Sequence, residues 1–237
     1  MSRLRKAVDI EYSLPVHGRI RVGTKNEKGW PISLKTFRFT SSDQSAVTTI
    51  ADEFGGVVKP WKNGKNSEWE VITEASEIPV VLPPKPIDGP IWEYWSKGGK
   101  LFDCDGETCI KTSTGPDGLE YESVPCRCKA ENKLVCKPQT RLRVLLHNVA
   151  LGGCWLLNTG SKMAASELQA VVQVVELMYN QTLTPAKLAI EPRSSASGGQ
   201  TRHFVVPVLR AGATLVQLQQ QQQALTELKT IELDAGD

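Results

Sequence analysis

The cysteines constrain this chain more than any other feature. Five of the six fall between Cys104 and Cys136, as Cys104-Asp-Gly-Glu-Thr-Cys109, Pro125-Cys126-Arg-Cys128 and Cys136-Lys-Pro. Between them lie the turn formers Asp105-Gly106, Ser113, Gly115-Pro116-Asp117-Gly118 and Pro125. The apolar residues Ile110, Leu119, Tyr121, Val124, Leu134 and Val135 are too few for a core of their own. Folding energy must come from elsewhere, and a zinc ion held by four thiolates supplies it, because a closed four-cysteine site stabilises a small loop-rich unit directly. Disulfides are one alternative and suit a secreted chain. The N-terminal Met1-Ser-Arg-Leu-Arg-Lys6 runs into Ala7-Val-Asp-Ile-Glu11 without the apolar stretch of a signal peptide. Ordinary buried thiols are the other alternative. With five candidates for four ligand positions, one cysteine is spare.

The chain has 237 residues, 40% hydrophobic and 23% charged, which is the balance of an ordinary globular protein and not of a disordered one. No run of apolar residues is long enough to span a membrane. A net charge of +2 is too small for a surface devoted throughout to nucleic acid. Residues 127–143 are locally basic, with Arg127, Lys129, Lys133, Lys137, Arg141 and Arg143 against Glu131. These cations offset the negative charge of a four-thiolate centre, or, as the second reading, they face the phosphates of DNA.

In chain order, residues 1–17 read as an irregular arm and 18–23 as a short strand between glycines, and Trp30-Pro31 opens a second strand over 32–40. Ser42 or Asp43 then caps a helix whose apolar face is Ala46, Val47, Ile50, Ala51 and Phe54, stopped by Gly55-Gly56. Residues 69–73 and 78–82 read as strands, 83–90 as a proline-rich crossing loop, and 100–103 as a strand leading into the cysteines. Beyond Cys136, residues 141–146 and 154–157 form a hairpin, and Asn158-Thr-Gly-Ser161 caps a largely buried helix over Lys162–Tyr179. Residues 187–192 and 203–209 pair as a long hairpin. The glutamine-rich segment 213–233 is a tail, helical in part. Trp30, Trp61, Trp69, Trp92 and Trp95 are assigned to a β core, and Cys154 to a buried hydrophobe rather than a ligand.

The fold class expected is α+β: an antiparallel β-rich domain with two main helices, an inserted zinc-ribbon-like four-cysteine segment and a partly helical C-terminal tail. The expected organisation is an N-terminal β-rich region over 1–100, a zinc-binding segment over 101–140, a hairpin–helix–hairpin unit over 141–210 and the tail over 211–237.

Catalytic signals are sparse. His17, His147 and His203 are far apart in sequence, and there is no phosphate-binding glycine loop, serine elbow or glutamate beside a histidine ligand. A non-enzyme is therefore expected.

The segments Cys104-Asp-Gly106, Pro125-Cys126-x-Cys128, Cys136-Lys-Pro-x-Thr-Arg141-Leu-x-Val144 and Gly153-x-Trp155-x-Leu157-x-Thr159-Gly160-Ser161 occur in this order. With Ala164-Ala165-x-Glu167-Leu168 and Glu191-x-Arg193 they resemble a family of actinobacteriophage proteins, the recombination directionality factors of large serine integrases. Gly18 to Gly23 and Pro31-x-x-Leu34-x-x-Phe37-Arg38 extend the similarity to about residues 15–210. The resemblance implies a regulator in the bacterial cytoplasm. It would bind the phage integrase, through the coiled-coil and zinc-binding region of that enzyme, and turn it from attP × attB integration to attL × attR excision. It would meet DNA mainly through that complex, with no small-molecule substrate and no membrane. The resemblance also implies the ligand set Cys104, Cys126, Cys128 and Cys136 for a structural zinc, with Cys109 in reserve because it is outside the family pattern.

Overall fold

The computed structural model describes residues 14–63, 66–96, 99–105, 107–115, 118–146, 149, 153–179, 183–197 and 199–211. Thirteen strands and three helices are found there. Strands β1 (Val16–Lys25) and β2 (Pro31–Ser41) form a hairpin, followed by helix α1 (Gln44–Phe54) and then β3 (Lys59–Asn63), β4 (Asn66–Ile72) and β5 (Glu77–Leu82). The cysteine region comprises β6 (Ile87–Ser96), β7 (Gly99–Cys104), β8 (Thr108–Gly115), β9 (Gly118–Pro125) and the single turn α2 (Arg127–Ala130). Strands β10 (Lys137–Leu146) and β11 (Cys154–Thr159) precede helix α3 (Lys162–Tyr179), and the long hairpin of β12 (Thr184–Ser197) and β13 (Gln200–Ala211) follows.

The helices form where periodicity and caps coincide. The Asp43 carboxylate accepts hydrogen bonds from the amides of Ser45 (2.9 Å) and Ala46 (3.3 Å), satisfying two N-terminal donors of α1. At the other end Gly55, at φ 77°, donates its N–H to the Ala51 carbonyl. Helix α3 is capped by Ser161, whose Oγ accepts from the amide of Ala164 at 3.3 Å. It buries Ala164, Ala165, Leu168, Val172 and Val175, while Val174 is half exposed. The helix is therefore amphipathic rather than largely buried.

Ten strands run in the order β3-β4-β2-β1-β11-β10-β6-β7-β8-β9, and β5, β12 and β13 form a second group joined to them through β10. Residues Lys137 to Arg141 and beyond pair with β6 and β11, whereas Leu145 and Leu146 pair with Val81 and Val80 of β5. Strand β10 thus passes from one sheet into the other. The main core lies between these layers: Ile20, Phe37 and Phe39 of the first sheet, Val47 and Ile50 of α1, Leu168 and Val172 of α3, and Ile78, Val80 and Leu188 of the second sheet. Among its members Phe37, Phe39, Val47, Ile50, Leu142, Leu157, Leu168 and Leu188 are wholly inaccessible.

The expected α+β class, with two main helices in an antiparallel domain, is not what the chain adopts. It is mostly β, and the sheet is mixed, because β1 pairs in parallel with β11. Strands this far apart in sequence are free of the hairpin constraint, and the intervening chain supplies the long crossover that parallel pairing needs. The cysteine segment is likewise no loop-rich insertion. Strands β7, β8 and β9 extend the large sheet, since Thr108, Ile110, Thr112 and Thr114 strongly favour extended backbone and the turn formers cluster at the strand ends. The crossing loop expected over 83–90 shrinks to 83–86, as β6 begins at Ile87. Pro90 is tolerated where β6 pairs with β10 alone, before β7 joins it at Trp92. The residues of the expected N-terminal arm up to 13 and the tail over 213–233 lie outside the described residues.

The early tryptophans meet the expectation of a β core only in part. Trp69 packs against the main core and Trp92 against the cysteines, but Trp30 and Trp95 are exposed. The tryptophan that fills the core is Trp155, edge-on to Phe39 at 5.2 Å. Gly18 lies opposite Trp155 across β1 and β11, and a Cβ there would come within 2.3 Å of its ring and 2.7 Å of the Thr40 carbonyl. Gly18→Ala is expected to destabilise the protein by about 1–3 kcal/mol through overpacking, read as a lower urea midpoint with an unchanged slope.

Candidate metal centre

The thiols are brought together by a hairpin and a helical turn. Cys104 at the end of β7 and Cys109 near the start of β8 are direct cross-strand partners. The connection between them is an Asx turn, in which the Asp105 carboxylate accepts from the amides of Glu107 and Thr108, each at 2.7 Å. Those amides, Thr108 first, hold the Asp105 carboxyl below its ordinary value. Strand β9 returns to Pro125 opposite Thr108, and the Cys126 amide bonds to the Glu107 carbonyl at 3.2 Å. Cys126 then begins α2, with the amides of Lys129 and Ala130 bonding to its carbonyl. Asn132 at φ 45° turns the chain back, so that the amides of Val135 and Cys136 both reach the Cys128 sulfur at 3.4 Å.

The sulfur atoms of Cys104, Cys109 and Cys126 lie within 4.8 Å of one another, and the three residues are buried. Cys104 Sγ and Cys126 Sγ are 3.6 Å apart. Cys104, Cys126, Cys128 and Cys136 line an open pocket of about 440 Å³, together with Trp92 and Leu134. All six cysteines are free thiols. Of the expected set, Cys104 and Cys126 meet Cys109, which sequence reasoning held in reserve, while Cys128 and Cys136 line the pocket beside them and stand outside that group of three. The signal for Cys109 was its position: with four residues between it and Cys104 across a tight turn, the two face each other.

The donor set fits a thiophilic ion. Four sulfurs at about 2.3 Å from a tetrahedral zinc stand about 3.8 Å apart, close to the Cys104–Cys126 separation. The Lys129 amide pulls the Cys126 thiol below its ordinary value against the opposing effect of burial. Burial first, and then the neighbouring Cys128 thiol, pushes Cys136 up to about 12. Crowded sulfurs resist sharing negative charge, and a divalent cation among them removes that resistance. These cysteines can hold a metal.

Glu93 of β6 secures this region to the rest of the sheet. It is 1% exposed, forms an ion pair with Arg141 of β10, accepts from the Trp95 indole at 2.9 Å and lies 3.8 Å from Lys100. Cys154, by contrast, is buried on β11 away from the cluster, as expected. His17 pairs with Asp43 at 3.3 Å and stacks edge-on to Trp155, and His203 is exposed on β13. His147 lies outside the described residues. The nearby Ser41 hydroxyl donates to the His17 carbonyl, so these three residues do not form a nucleophile–base pair.

The basic stretch 127–143 is largely compensated. Arg127 pairs with Glu131, Lys129 with Glu107 at 3.6 Å, Arg141 with Glu93, and Arg143 with Asp88 at 2.6 Å.

A family profile described as Gp3-like, recombination directionality factor-like, matches residues 17–212. The chain belongs to that family. The match takes in both sheets, α1, α3 and all the cysteines. No curated protein and no solved structure matches the chain. Membership of a recombination directionality factor-like family points to a regulatory protein that acts with a recombinase. No helix among the described residues is long and apolar enough to cross a membrane.

Replacing Arg141 with Met would leave the Glu93 carboxylate buried with only the more distant Lys100 as cation. A loss of about 3 kcal/mol is expected in chemical denaturation, with much of it restored by adding Glu93→Gln, which removes the buried charge.

Proposed function

We propose that this protein binds the phage-encoded large serine integrase and switches it from attP × attB integration to attL × attR excision, with no covalent chemistry of its own. The family match over residues 17–212 carries this reading. The coiled-coil and zinc-binding region of the integrase is its target, and the bacterial cytoplasm its place of action. An integrase with two arrangements responds to any ligand that prefers one, and reversing a bias of 1:99 takes roughly 5.5 kcal/mol of differential binding. A stiff β scaffold suits that role, because little of the binding energy is lost to ordering the regulator.

The metal in this reading is one structural zinc per chain, held by Cys104, Cys126, Cys128 and Cys136, with Cys109 as the candidate replacement. When bound, it would neutralise the crowded thiols and close the segment between β7 and β10. Direct DNA binding through residues 127–143 is the second reading. Four of the six cations there are already paired with carboxylates, which favours the integrase reading.

The test is recombination with the integrase of the same phage. Adding the protein should promote attL × attR excision and suppress attP × attB integration; no change in either ratio would overturn the reading. Elemental analysis should give about one zinc per chain. Cys126→Ser and Cys128→Ser should each lose the metal and roughly 4 kcal/mol or more of stability. Full zinc content in Cys109→Ser and loss in Cys136→Ser would fix the ligand set, and the opposite pattern would exchange the two residues.

A further inference from the structure

A second site lies on the face of the large sheet opposite the core. Arg19 and Arg21 of β1 point away from the buried Ile20, and Arg38 of β2 stands opposite Arg21 across the ladder. With Lys25, Lys62 and Trp61 they line an open groove of about 750 Å³. The groove follows β1 from Arg19 to Lys25, roughly 20 Å at the rise of an extended chain.

Its charge is one-sided. Glu70 is the one carboxylate in the lining, and Arg38 takes it, its Nε at 2.7 Å. Glu68 on the neighbouring β4, outside the lining, also acts on Arg21, ahead of Glu70. Trp61 serves as a platform, with the Arg38 guanidinium 4.5 Å and the Arg21 guanidinium 5.2 Å from its ring centre. Arg21 also reaches Thr40 Oγ1 at 3.4 Å, so its head group is held rather than free. Burial, and then the guanidiniums of Arg38 and Arg19, draw Arg21 below its ordinary value. An anion entering the groove would relieve that crowding. Of the six cations of residues 127–143, four are already paired with carboxylates.

We propose that this arginine groove contacts the phosphate backbone of duplex DNA. The groove is open and extended, which suits a polyanion lying along β1 better than a small enclosed anion. The choice of DNA over an acidic protein segment rests on the recombination reading, in which the protein acts within a DNA complex. A contact with three or four phosphates is weak at physiological salt, and it becomes effective once a bound integrase raises the local DNA concentration.

The experiment is fluorescence anisotropy of the full chain with a labelled duplex of mixed sequence at 50 and 200 mM salt. For three or four phosphate contacts, affinity should fall roughly 40- to 150-fold between these concentrations. Arg19→Glu/Lys25→Glu/Lys62→Glu, at exposed positions, should lose at least tenfold at 50 mM while melting like the wild type. Lys129→Glu/Lys133→Glu should bind as the wild type does. Absence of binding at 50 mM, or equal binding by the triple variant, would overturn the groove assignment and leave the integrase reading intact. Competition by poly-glutamate as strong as by unlabelled duplex, at equal charge, would reassign the groove to an acidic protein partner. Groove-dependent DNA binding by a protein that does not alter recombination would instead sink the integrase reading alone.

Discussion

Strand β10 carries hydrogen bonds in both sheets, and the rest of the molecule hangs from it. It pairs with β6 from Lys137 to Leu142 and with β11 from Thr140 to Val144, and its last two residues pair with β5. Its inward side chains Thr140, Leu142 and Val144 are wholly buried, whereas Arg141 and Arg143 face outward to Glu93 and Asp88. One strand thereby joins the hydrophobic layer between the sheets to the ladder that leads into the cysteines. A buried strand that alternates in this way tolerates no shift of register, since a slip of one residue would place arginines in the core.

Two different sources of order meet at β6. On the side of β10 the stabilisation is burial of aliphatic and aromatic side chains around Trp155, Phe39 and Leu168. On the side of β7 the apolar cluster is small, with Cys104, Cys109 and Cys126 at its centre and Trp92, Phe102 and Val124 around it. The sulfurs there can hold a metal, and the enclosed Glu93–Arg141 pair ties the two regions together. The outer face of β1 and β2 follows a third logic, in which cations are kept together on an aromatic platform although they repel one another.

Much of this was legible in the residues themselves. Helix α1 could be read to within a residue because Asp43, the apolar spacing and Gly55-Gly56 agree, and α3 because its cap at Ser161 and its period agree. The β12–β13 hairpin was visible in the alternation of its strands. The extra strands of the cysteine region were not, because Gly115-Pro116-Asp117-Gly118 reads equally as a loop or as the tip of a hairpin. Nor were the tryptophans, since an aromatic residue on a strand faces the core or solvent according to register, and register depends on the partner strand. The parallel pairing of β1 with β11 left no local trace at all.

The sequence by itself determined the two long helices with their ends, the strand-forming segments outside the cysteine region, the concentration of thiols and the family. These depend on local propensity, on capping and on the order of motifs along the chain. Tertiary structure alone decided that the fold is mostly β, that Cys109 joins Cys104 and Cys126, that four of the six cations after Cys126 meet carboxylates, and that Arg19, Arg21 and Arg38 share one groove. Each of those outcomes depends on which distant strands become neighbours, and pairing between strands is a long-range choice settled by burial of the whole core.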